Sequence, residues 1–120
     1  MQPWFEPGRY SSSSLRESLA PEFEGAPDDI VLPANTLVRY AIPTGARYVT
    51  FSFDGDFRCV LGGSTTDFTL PATSSAGGTG SVLNPTQRRI PAKLADGISS
   101  PTHLCFRAAS ACTGSVSFFS

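Results

Sequence analysis

From residue 30 onward, apolar side chains recur at every second position, in short runs broken by glycine and proline. That period is the mark of half-buried strands. Ile30-Val31-Leu32 leads into Pro33, and in residues 36–42 Val38, Tyr40 and Ile42 share one face. Pro43-Thr44-Gly45 makes a turn. Residues 47–53 form the clearest strand, with Val49, Phe51 and Phe53 on one side and Tyr48, Thr50 and Ser52 on the other. Asp54-Gly55 is a preferred pair for a tight hairpin turn, whose central residues take positive φ. Residues 56–61 are therefore expected to return alongside, burying Phe57, Cys59 and Leu61.

Gly62-Gly63 ends that run, and residues 66–70 read as a further short strand. The Gly-, Ser- and Thr-rich stretch 71–80 reads as a loop. Its glycine cluster has no Lys-Ser/Thr after it and no helix to follow, so it does not meet the requirements of a phosphate-binding loop. Shorter strands are expected at 81–83 and 87–92. A terminal hairpin is expected from 102–108 (Leu104, Phe106) and 114–119 (Val116, Phe118). Seven to nine short strands with turns between them predict an all-β fold, an antiparallel β-sandwich of jelly-roll or Greek-key type over 30–120. The expected core is Val38, Tyr40, Ile42, Val49, Phe51, Phe53, Phe57, Leu61, Leu104, Phe106, Val116 and Phe118.

Residues 1–29 follow no such rhythm and read as an extended N-terminal arm. Pro3, Pro7, Gly8, the serine run 11–14 and Pro21 all oppose regular structure. One helical signal lies inside the arm. Ser14 and Glu17 have capping-box spacing, Leu15 and Leu19 fall on one face, and Pro21 halts the helix. At two turns or fewer, near 14–20, such a helix persists only against a surface. The arm also carries Trp4, Phe5, Tyr10 and Phe23, which are costly to leave in water. Together with Leu15 and Leu19 they are the expected anchors, docking on a neighbouring subunit or partner, or else on the arm's own domain.

Charge sharpens that division. The arm holds six acids and two arginines, for a net of −4, whereas the remainder holds four acids and seven bases, for a net of +3. The two parts can pair within or between copies, or each can simply be solvated. The overall net charge of −1 offers no general attraction to nucleic acid or anionic lipid. No run approaches the ~18 apolar residues of a membrane span, and the opening Met-Gln-Pro-Trp-Phe-Glu-Pro lacks the pattern of a secretory signal. The expectation is cytosolic synthesis, which suits an odd number of cysteines kept as thiols. Cys59 reads as a small core residue. Cys105 and Cys112 flank the expected terminal hairpin loop and could face each other across it, although free thiols are the preferred reading.

Candidate chemistry is sparse. His103 is the only histidine, and no serine sits in a strand–turn–helix setting, so a nucleophile, a base and a group to orient it are not apparent. Asp54 and Asp56 sit in a turn, where aspartate serves local backbone hydrogen bonds. The later ligands and closing glutamate of a calcium loop are missing. Neither an enzyme, a cofactor nor a metal is expected. Eight of the nine bases are arginine, a residue suited to bidentate pairing with carboxylates at protein interfaces. Arg88 and Arg89 are adjacent, so on a strand they face opposite sides.

Three segments carry a resemblance: Tyr48-Val-Thr-Phe-Ser-Phe-Asp-Gly-Asp-Phe57, Leu83-Asn-Pro-Thr-Gln-Arg-Arg-Ile90 and Gly114-Ser-Val-Ser-Phe-Phe-Ser120. In style, residues 36–120 resemble small virion proteins of tailed bacteriophages, in which an arm precedes a compact β-sandwich with Gly/Ser/Thr-rich loops. The resemblance implies a structural protein in many symmetric copies, above all a capsid decoration or cement protein. Such a protein would be a homo-oligomer, with a trimer expected, and would bind the major capsid protein or other virion proteins. The alternatives are a tail or head–tail adaptor or fibre-attachment protein, and a host-surface or glycan-binding β-module with Asp54, Asp56 and Trp4 as candidates.

Overall fold

The computed structural model describes Pro3, Phe23, residues 27–72, Gly77 and residues 80–120. The expected helix near 14–20 lies outside the described residues. Among those described there is no helix, and the chain forms eight strands in two antiparallel sheets packed face to face. The strands are β1 (Asp28–Leu32), β2 (Val38–Ala41), β3 (Tyr48–Phe53), β4 (Arg58–Gly62), β5 (Val82–Leu83), β6 (Gln87–Arg89), β7 (His103–Arg107) and β8 (Cys112–Phe119). One sheet has the order β1-β8-β3-β6 and the other β2-β7-β4-β5. The all-β sandwich expected from the period-two pattern is what forms.

Each strand follows from its residues. β1 buries Ile30 and Leu32, turns Val31 to solvent and stops at Pro33, which has no amide to donate. After β2, Pro43 accepts a hydrogen bond from the Ala46 amide at 3.1 Å, and Gly45 supplies the φ of 87° that closes the expected turn. β3 buries Val49 and packs Phe51 and Phe53 inward, so that its rings meet those of the opposite layer. Phe53 lies 4.1 Å from Phe57 and 5.8 Å from Phe106, centroid to centroid, and Tyr40 stacks on Phe118 at 6.2 Å. Every residue of the expected core is either buried or packed against the buried cluster.

Both expected hairpins are corrected. β3 pairs with β8 and β6, whereas β4 pairs with β7 and β5, so residues 54–57 cross from one layer to the other. Gly55 does not take positive φ, and no tight hairpin turn forms there. A second crossing, at residues 108–111, separates β7 from β8, which lie in different sheets. Cys105 and Cys112 therefore do not meet across a hairpin, and Cys59, Cys105 and Cys112 are all free. The expected strand at 66–70 is also absent. That segment makes no ladder and lies against the outer face of the second sheet as a strap.

The close approach of β8 to β3 depends on one glycine. Gly114 pairs with Phe53, and a side chain at 114 would run into the Phe53 ring and the Ser52 carbonyl. Gly114→Ala is expected to cost about 1–3 kcal/mol, the usual range for overpacking. The check is the midpoint of urea unfolding, which should fall while the slope stays constant.

Candidate functional site

At one edge of the sandwich the two layers are not sealed. β5 and β6 are two and three residues long, while their neighbours β4 and β3 have five and six. The short edge strands leave an apolar cleft of about 190 Å³ that opens between the sheets. Its floor includes Val49, Phe51, Cys59 and Leu104, with Val82 at the side and Arg88 and Arg89 at the mouth.

Register explains how the arginines reach this position. Arg88 stands opposite Val49, which is buried, so Arg88 is on the layer-facing side of β6. Arg89 stands opposite Tyr48 on the other side. Faces do alternate as the sequence predicts, yet both side chains border the same cleft, because β6 is an edge strand and either face gives on to its rim. An inward-pointing charge on an edge strand also discourages further strand pairing there. Arg88 donates to the carbonyl of its neighbour Gln87, at 2.8 Å. Among the described residues neither arginine pairs with a carboxylate; the ion pair found there is Arg107–Asp67.

Cys59 lines this cleft, and burial pushes its thiol up to about 12, with the neighbouring Cys105 adding to the shift. At neutral pH it is thus a protonated, apolar wall rather than a thiolate nucleophile. Burial likewise raises the Cys112 thiol, helped by the carboxylates of Asp54 and Asp56.

The remaining candidates from the sequence are held in loop structure. The Asp54 carboxylate accepts from the Thr113 amide at 2.9 Å and from its hydroxyl at 3.2 Å, tying the first crossing to β8. Asp56 accepts from the Asn84 side-chain amide at 2.8 Å, while the Asn84 side-chain oxygen accepts from the Phe57 amide at 2.9 Å. Asn84 adopts φ 48°, a left-handed value that asparagine tolerates well. Both aspartates thus serve as staples, and among the described residues no group of three potential metal ligands gathers. His103 has the Thr102 hydroxyl 2.9 Å from its Nδ1.

Of the expected arm anchors, Trp4, Phe5, Tyr10, Leu15 and Leu19 lie outside the described residues, and Phe23 is wholly exposed. The cleft itself was not foreseen, because it depends on which strands are edges, and that depends on strand order. No family model, curated protein or solved structure matches this chain.

Proposed function

We propose that this chain is a structural virion protein, a capsid decoration or cement protein that acts through its surfaces. The observation that carries the reading is the winding of the sandwich. Strands 1-8-3-6 over 2-7-4-5, with crossings between layers after β1, β2, β3, β5, β6 and β7, support reading the sandwich as a jelly roll. Viral capsid domains are a major user of that architecture, and lectins are another. The inference is by analogy of fold, and the chain's own composition adds to it. An acidic arm rich in aromatics precedes β1, which is itself an edge strand, so the arm is continuous with a surface open to neighbours. Leaving such anchors in water is unfavourable by about 1.5–3 kcal/mol for each large side chain that could be buried. A homo-oligomer, in the first instance a trimer, with its arms on neighbouring capsid subunits would bury them.

The test is immunoelectron microscopy of particles assembled in cells that express the chain, beside a variant lacking residues 1–26. The expected result is regular label on the head surface for the full chain and none for the truncated one, which should still unfold cooperatively. Label confined to the tail would favour the adaptor reading instead. Particles free of label, with soluble glycans bound by the purified protein, would overturn the virion assignment.

A further inference from the structure

We infer that the cleft between β5 and β6 receives Phe23 from a second copy of this chain, with Glu22 and Glu24 reaching Arg88 and Arg89 at its mouth. The inference rests on the reading of the arm as an anchor between subunits, and it specifies where on the body the anchor lands. Phe23 is wholly exposed and sits between two carboxylates. The cleft presents the converse, an apolar floor behind two arginines that lack carboxylate partners among the described residues. Its 190 Å³ exceeds the ~150 Å³ of an apolar cavity able to hold benzene, so an aromatic ring fits. The chain before β1 holds four acids and two arginines, a net of −2, against +1 for the rest. The local pairing of Glu22 and Glu24 with Arg88 and Arg89 favours the encounter at low salt.

Geometry makes the donor a second copy. Phe23 lies five residues before Asp28, the first residue of β1, and an extended stretch of that length spans about 17 Å. β1 and β6 are opposite edges of one sheet, with β8 and β3 between them. Crossing it consumes about 14 Å, which leaves too little chain to round β6 and enter between layers ~10 Å apart. Donor and acceptor are thus different surfaces, and the contact is head-to-tail. Such contacts build rings when the rotation closes, and a ring of three meets the expected trimer.

Sedimentation velocity and light scattering of the full-length chain over a concentration series test this. The expected result is a closed oligomer whose association weakens at least tenfold in Phe23→Ala. The pair Arg88→Glu and Arg89→Glu should weaken it similarly, and adding Glu22→Arg with Glu24→Arg should restore it. Phe23, Arg88 and Arg89 are exposed in the single chain, so each variant should keep its fold, and cooperative urea unfolding at a concentration where every variant is monomeric checks that. A full-length chain that stays monomeric, or an oligomer indifferent to Phe23→Ala, would overturn the inference. So would failure of the reversed charges to restore association. Virion labelling is scored separately. An oligomer lost in Phe23→Ala with no label on particles removes the virion reading and keeps this contact, and labelled particles with an unaffected oligomer do the opposite.

Discussion

Replacing Phe106 by alanine is expected to destabilise the domain by about 3–5 kcal/mol, a large part of the 5–15 kcal/mol typical of a domain this size. The side chain has no exposed surface and lies on β7, flanked in its sheet by β2 and β4. Its ring lies 5.8 Å from Phe53, 6.0 Å from Phe57 and 6.2 Å from Phe51, so it joins the two layers at their centre. Rings held by the opposite sheet and by the first crossing have little freedom to collapse into the space left behind, which puts the cost towards the upper end. Val31→Ala provides the contrast. Val31 faces solvent on an edge strand, 65% exposed, and its replacement should change stability by no more than about 0.5 kcal/mol. Urea unfolding of both variants checks the pair. A Phe106→Ala loss below about 1 kcal/mol would mean that the layers do not close on this ring.

The reason these core positions could be read from the sequence, while the hairpins were misread, is physical. Period two states which face of a strand is buried, and in a sandwich both sheets bury their inner faces. Val49, Phe51 and Phe53 would alternate in the same way whether the next strand lay beside β3 or across from it. The same holds for Leu104 and Phe106 against Val116 and Phe118. What decides between the two arrangements is pairing far along the chain. β3 finds β8 more than sixty residues away, and Asp54 is fixed by Thr113 instead of closing a turn with Gly55. The expected core omits Ile30 and Leu32, two of the most buried side chains, because a three-residue apolar run before a proline shows no alternation. The cleft inherits the same difficulty. Val82 and Arg88 belong to strands too short to leave a clear period, and their meeting follows only from β5 and β6 being edges of opposing sheets.

The strap at 66–70 shows a different limit. Its Thr-Asp-Phe-Thr-Leu composition suits a strand, and strand propensity reports how well side chains fit a half-buried surface rather than whether a ladder forms. Here the surface is the outside of the second sheet, and arginines on that face supply the hydrogen bonds that a neighbouring strand would have made. Arg39 donates through Nε to the Thr66 carbonyl at 2.8 Å, and Arg107 through Nε to the Phe68 carbonyl at 2.9 Å. Nothing in the spacing of these arginines signals the role. They lie 27 and 39 positions from the carbonyls they hold.

Arg107→Ala is therefore expected to cost about 2–3 kcal/mol and to free the strap without unfolding the sandwich. Beyond Phe68, the guanidinium donates through Nη1 to the Asn35 carbonyl at 2.9 Å, and through Nη2 to Asp67 at 3.1 Å. Asp67 is 61% exposed, so the ion pair itself contributes little, and the two backbone carbonyls set the magnitude. Lysine should recover less than half of the loss, since a single ammonium cannot reproduce a planar fork that spans three acceptors. The strap lies over Cys105, whose thiol is 3.8 Å from the Thr66 carbonyl and has no exposed surface. Burial raises that thiol above its usual value, Arg39 opposes the shift and Asp67 adds to it. Uncovering the sulfur both opens a path for reagent and lets its pKa fall back towards the ordinary range. The thiolate fraction at any pH below that range then rises, and alkylation at pH 8 should quicken at least tenfold at Cys105 while Cys59, in the opposite face of the sheet, stays slow. Equal rates at Cys105 in the two proteins would mean that the strap is held by contacts other than this arginine.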